Sequence, residues 1–158
     1  MSNQIDRASL RTTLTYRLFS RLSVGVEYNP RADDVGPLAN FIALKETRHR
    51  PAVIIGTSSD RIGTPSGRSY YMTLSKDISE TVKMPIAPYI GVAYSSFEHR
   101  FLAIGGMNIT WRDNLSSLVI FDGVKVHPTL SWTVAKRHVL TFLMAQSRNP
   151  GFSYSISF

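Results

Sequence analysis

His127, Thr129 and Ser131 occupy alternate positions of one segment, and alternate residues of a strand project from the same face. An imidazole and two hydroxyls on one face, with Asp122 or Glu98 to supply an acid, are the parts of a nucleophilic hydrolase. In such a site the imidazole takes the proton from a hydroxyl, the oxygen attacks, and the carboxylate orients the ring. His127 as base and Ser131 as nucleophile are the catalytic candidates. Polar alternation along any half-buried strand yields the same set, and a triad is defined by geometry rather than spacing, so the pattern assigns no catalytic residue.

Other chemistry is sparse. Asp33-Asp34 and Asp60 stand in segments rich in Gly and Pro and offer oxygen ligands to a hard cation such as Ca²⁺. A calcium loop carries more acids at regular spacing, so these read as solvated loop acids. Gly63-Thr64-Pro65-Ser66-Gly67, followed by Arg68, lacks the Lys-Ser or Lys-Thr ending of a phosphate loop and reads as a surface turn. With no cysteine, the chain has neither disulfides nor thiolate ligands nor a Cys nucleophile. No metal and no cofactor is expected.

The net charge is +7 and the isoelectric point about 10.0, values that suit anionic partners. Distribution decides among them. Lys and Arg are scattered singly or in pairs, with no basic block, which argues against nucleic acid. Arg11, Arg17, Glu27, Arg112, Lys125 and His127 fall on polar faces of alternating segments. Facing a lumen, this largely cationic set would line a pore that favours anionic solutes. In a narrower barrel the same side chains pair and fill the interior.

These residues need strands to position them, and the alternation supplies strands. Leu10, Thr12, Leu14, Tyr16 and Leu18 oppose Arg11, Thr13, Thr15 and Arg17, and Leu22, Val24, Val26 and Tyr28 oppose Ser23, Gly25, Glu27 and Asn29. The same period of two runs through Ile86–Ser95, Phe101–Arg112 and Lys125–Val134. No stretch is amphipathic at the helical period, and no run approaches the roughly 18 apolar residues of a membrane helix. A helical membrane protein is excluded. The chain reads as all-β, with about eleven strands spaced more widely than the roughly eight to twelve residues of a soluble sandwich. Tight links are expected at Phe19–Arg21, Arg48–Pro51, Arg112–Asn114 and Lys136–His138, and longer ones at Pro30–Pro37 and Ser58–Gly67. Short and long links alternate, except for the longer Ile78–Pro85 where a short one is due.

The last seven residues, Phe152-Ser153-Tyr154-Ser155-Ile156-Ser157-Phe158, carry an apolar stripe on one face and hydroxyls on the other. The aromatic end, with Phe158, Ile156, Tyr154 and Phe152 at alternate positions, resembles the C-terminal signal of bacterial outer-membrane β-barrel proteins. The resemblance implies an antiparallel up-and-down transmembrane barrel of about ten to twelve strands in a bacterial outer membrane. It also implies contact with outer-membrane lipid and recognition of the final strand by the barrel-assembly machinery. Tyr16, Tyr28, Tyr94, Trp111 and Trp132 then suit the membrane interfaces, where an aromatic body meets lipid and its tip meets water. The whole chain, 1–158, is expected to form one barrel domain, with residues 1–9 an irregular segment or partial strand. No secretory signal is visible at Met1–Arg7, and eleven strands depart from the even number of bacterial barrels.

Three functions remain open. One is a small outer-membrane barrel, acting as a narrow anion-preferring pore or as a structural element. The second is a soluble lipocalin-like barrel, which needs the apolar stripe inside around an apolar ligand. The third is an outer-membrane lipid- or peptide-modifying hydrolase using His127.

Overall fold

Alternation does form strands, and they pair in the order in which they occur. The computed structural model describes residues 10–158, so the expectation for residues 1–9 lies outside the described residues. The strands are β1 (Thr12–Phe19), β2 (Leu22–Asn29), β3 (Asp34–Leu44), β4 (Ala52–Ser59), β5 (Arg68–Ser75) and β6 (Ile86–Ser95). They continue as β7 (Arg100–Arg112), β8 (Leu115–Phe121), β9 (Val126–Ala135), β10 (His138–Ala145) and β11 (Asn149–Ile156). A 3-10 turn at Pro30–Ala32 follows β2, and a single helical turn, α1 (Ser79–Val82), precedes β6. The chain is thus an all-β, eleven-stranded antiparallel up-and-down sheet with β1 and β11 at the two ends of the order. No helix among the described residues is long and apolar enough to cross a membrane.

The strands pack as two compact units. One holds the described part of Met1–Leu74 with Gly91–Ala103; the other holds Ser75–Ile90 with Ile104–Phe158. In the first, register places Leu14 beside Val26 and Pro37, and Leu22 beside Phe41 and Ile55, so one face is an apolar surface. Thr13, Glu27 and Gly36 lie opposite one another on the other face. In the second unit Leu115, Trp132, Leu140 and Tyr154 form one apolar row. On its opposite face the hydroxyls of Thr110, Ser116, Ser131, Thr141 and Ser153 line up across β7 to β11, a row of roughly 19 Å at the usual strand spacing.

Burial inverts the pattern of a water-soluble protein. Glu27 is 0% exposed and His127 2%, and Asn29, Ser95 and Thr64 are buried too. By contrast, Phe101 is 73% exposed and Phe152 87%, with Leu14, Tyr16 and Trp132 also open. Among the described residues, the buried apolar ones are the small Ala93 and Ala145 and one leucine, Leu102.

Glycines let this polar face fill. A Cβ on Gly36 would stand 1.8 Å from the Arg68 guanidinium carbon, and one on Gly106 would stand 2.5 Å from the Tyr89 ring. The bare strand backbone is what admits each large polar side chain.

Several local expectations are corrected. Pro30–Pro37 is not one long link: β3 begins at Asp34, and Gly36 and Pro37 pair with Glu27 and Val26. Gly and Pro signalled a loop, but here Gly36 makes room for Arg68 within the ladder. Link lengths consequently do not separate cleanly. In the first unit the β3–β4 link spans residues 45–51, and the expected tight turn lies within it, at Arg48–His49 between the paired Thr47 and Arg50. Strand β9 starts at Val126, leaving Lys125 in the preceding turn, and β11 stops at Ile156, short of Ser157 and Phe158.

Candidate functional site

In the second unit, the catalytic candidates sit on β9 as their spacing requires. His127 and Ser131 are four residues apart on one strand, which sets their Cα atoms about 13 Å apart. Nδ1 of His127 accepts the backbone N–H of Gln146 at 3.0 Å. That nitrogen is therefore unprotonated, and Nε2–H donates to Asp122 Oδ2 at 2.9 Å. The Asp122 carboxylate also receives the backbone N–H groups of Val124 and Lys125 through its other oxygen, at 2.9 and 2.7 Å. Burial works to raise the Asp122 carboxyl, yet the bonds from His127, Lys125 and Val124 outweigh it and hold the group below its ordinary range.

Both imidazole nitrogens are thereby committed to two turns. The ring joins the β8–β9 turn, which contains Asp122, to the β10–β11 turn, where Gln146 and Ser147 both have φ of 54°. Ser147 Oγ adds a bond to the Val126 carbonyl at 3.0 Å. Ser131 meets Thr141 Oγ1 at 2.8 Å, and Thr129 Oγ1 donates to the Leu118 carbonyl at 3.0 Å. The structure brings His127 and Asp122 together but does not bring either hydroxyl to His127. What it builds is a brace between turns.

In the first unit, the Arg11 guanidinium forms an ion pair with the fully buried Glu27, and Asn29 Nδ2 donates to Glu27 Oε1 at 2.8 Å. Arg68 Nη2 donates to Asp34 at 2.9 Å and to the Val35 carbonyl at 2.6 Å. Tyr71 Oη donates to Asn40 Oδ1 at 2.6 Å, on the same face. Arg17 lies on that face by register with Ser23 and is exposed. In the second unit, Arg112 is exposed at the end of β7 and Lys125 is exposed in its turn.

A second cluster in the first unit was not foreseen. Ser95 Oγ donates to Asp60 Oδ2 at 2.6 Å and accepts the Glu98 backbone N–H at 3.0 Å. Asp60 also accepts the N–H groups of Arg61 and Phe97. Glu98 in turn takes two bonds from Arg61, at 2.6 and 3.3 Å, and pairs with Arg100. The Arg61 hydrogen bond is the largest reason the Glu98 carboxyl sits below its ordinary range. Asp33 closes the Pro30–Ala32 turn in a left-handed conformation. No group of three or more His, Asp or Glu residues that could hold a metal occurs among the described residues.

Of the aromatics expected at membrane interfaces, Tyr16, Tyr28, Trp111, Trp132, Phe152, Tyr154 and Phe158 are exposed, as is Ile156. Tyr94 is half-buried against Phe101, ring centres 5.1 Å apart. Trp111 Nε1 donates to Ser117 Oγ at 2.9 Å, and Tyr154 Oη meets His138 Nδ1 at 2.7 Å, so both tips hold polar partners.

Compared with protein families, with curated proteins and with solved structures, the chain matches none of them.

Proposed function

We propose that the chain is a structural transmembrane β-barrel of a bacterial outer membrane, with a polar interior filled by paired side chains. The carrying observation is the inverted burial: Glu27, Asn29, Ser95 and His127 are shielded while Leu14, Phe101 and Phe152 are open. In water such a surface costs free energy along every strand, whereas lipid accepts it; the ladders satisfy the backbone between β1 and β11, and the outer edges of these two strands need pairing to complete a barrel. A lipocalin-like barrel needs the opposite arrangement, with the apolar side chains enclosing a ligand.

Within this reading a filled interior is favoured over a pore. Arg11 is paired with Glu27 and Arg68 with Asp34, and the neutral His127 is hydrogen-bonded to Asp122, so the buried polar groups bind one another, while Arg17, Arg112 and Lys125 are exposed. The hydrolase reading loses its base, since both nitrogens of His127 are engaged away from Ser131. The exposed Phe152–Phe158 stripe is the segment proposed to meet the assembly machinery and then the outer-membrane lipid.

The test is behaviour in detergent and in bilayers. The folded protein should remain monodisperse only with detergent or lipid, and should change electrophoretic mobility on heating. A monodisperse protein in plain buffer would refute the membrane assignment. Planar bilayers should show no steps above leak, and stable steps that vanish in the protein's absence would replace the filled barrel with a pore.

A further inference from the structure

The first unit treats the charges at the two ends of its strands differently. At the end formed by the links after β2, β4 and β6, three cations are tied down, Arg61 and Arg100 by Glu98 and Arg68 by Asp34, while Arg31 is exposed. At the other end, the β1–β2 turn and the 45–51 link present Arg21, Lys45, Arg48 and Arg50, all exposed, with His49 among them. Glu46 is the acid of this group, so the formal balance of the five charged residues is cationic.

The backbone draws these residues together. Ile42 N–H donates to the Arg21 carbonyl at 2.8 Å, which sets the first turn against the end of β3. Thr47 and Arg50 exchange backbone hydrogen bonds at 3.0 and 3.4 Å, folding the 45–51 link back on itself, and Arg50 Nε reaches the Lys45 carbonyl at 3.3 Å. Directly beside the cations lie the exposed apolar side chains Leu18, Phe19, Phe41 and Leu44. Grease ending in a cluster of guanidinium and ammonium groups has the order of an acyl chain ending in a phosphate. Arg offers that phosphate a forked pair of donors, and Lys a compact charge.

We propose that Arg21, Lys45, Arg48 and Arg50 form a binding site for the headgroups of anionic lipids at one membrane surface. The site rests on the membrane-spanning reading above and adds to it a preference for lipid charge. Charge complementarity and contiguity with the apolar face select lipid as the occupant, since a free anion would make no use of Phe19 or Leu44. Near an anionic membrane surface each such cation contributes roughly a fivefold preference, screened by salt over about 10 Å at moderate ionic strength.

The full-length protein is reconstituted into phosphatidylcholine vesicles with and without a minority of phosphatidylglycerol. Flotation and protease protection in phosphatidylcholine alone read insertion, on which headgroup charge has no bearing. Retention of phosphatidylglycerol by native mass spectrometry, or restriction of a spin-labelled anionic lipid, then reads the site. Expected are enrichment of the anionic lipid around the native protein, its loss at high salt, and a fall of about 25-fold in R48Q/R50Q at low salt. The charge-matched R31Q/R148Q, outside the cluster, should keep the enrichment. Insertion without anionic enrichment, or an equal loss in R31Q/R148Q, overturns the site while leaving the membrane reading intact. Failure to insert overturns both.

Discussion

Ser95 and Asp60, 35 residues apart in sequence, meet at 2.6 Å through a hydroxyl donated to a buried carboxylate. Through this bond the β4–β5 link (residues 60–67) is held against the end of β6, and Asp60 N–H closes the loop further by donating to the Gly67 carbonyl at 3.1 Å. Ser95→Ala removes one donor from Asp60 and one acceptor from Glu98 N–H, and is expected to cost about 1–3 kcal/mol because both groups stay shielded. Hydrogen exchange should quicken at Phe97 and Glu98 and through residues 60–67, and cleavage by trypsin at Arg61 should accelerate. Unchanged exchange there would remove the pin.

The brace at His127 predicts an asymmetry between the two catalytic candidates. His127→Ala frees the Gln146 N–H and takes a donor from Asp122, so a loss of about 2–4 kcal/mol is expected in urea titrations in detergent. Ser131→Ala breaks one hydroxyl pair with Thr141, and about 1 kcal/mol is expected. A catalytic pair would show the reverse emphasis: lost turnover of lipid or peptide substrates from either change, with little loss of stability.

Acid should weaken the same brace. The folded-state pKa of Asp122 lies below its unfolded value, because the His127, Lys125 and Val124 hydrogen bonds together overcome burial. The sign is that of a depressed carboxylate. Its contribution is fully present above the unfolded value of about 3.9 and is lost as pH falls through the lower folded value. Glu98, lowered chiefly by Arg61, adds a contribution with the same sign at the other cluster. The urea midpoint of the native protein should therefore fall below about pH 4, and that of Asp122→Asn should be lower at neutral pH with a shallower acid limb. Parallel curves would show that Asp122 does not carry the dependence.

Much of the sheet was legible because a strand writes its own period. Thr12 to Asn29 alternates, and β1 and β2 pair with Leu14 beside Val26 as that alternation implies. Legibility stopped where a residue served a partner distant in the chain. Gly36 and Pro37 signal a loop by type, yet Gly36 is in β3 because the Arg68 side chain occupies the space a Cβ would take. Alternation put Glu27 and Asn29 together on a polar face, where they hydrogen-bond, but only the fold brings Arg11 to Glu27. Asp60 looked like a solvated loop acid and proves to be buried, since its partners Ser95 and Phe97 come from the end of β6 and the link that follows it. His127 and Asp122 were named together from the sequence, whereas the Gln146 backbone N–H that occupies the second nitrogen leaves no trace in residue type.

Ile90, the fifth residue of β6, separates the membrane reading from its soluble rival with a single substitution. Its side chain is 67% exposed and lies on the apolar face of a ten-residue strand, flanked on that face by Pro88 and Val92. If water is the solvent there, Ile90→Arg exchanges one exposed side chain for another, and the change in stability should stay within about 0.5 kcal/mol. If lipid surrounds it, a guanidinium near the middle of the strand must be drawn toward the bilayer centre, at about 2–4 kcal/mol. Depth gives the control. Trp111→Arg, one residue from the end of β7, places the same charge nearer an interface, where about 0–1 kcal/mol is expected for the charge, in addition to loss of the Trp111–Ser117 bond. Unfolding in lipid vesicles should therefore show the larger loss at Ile90 despite the smaller side chain removed there. A loss confined to Trp111 would mean that burial and hydrogen bonding, rather than membrane depth, set the cost.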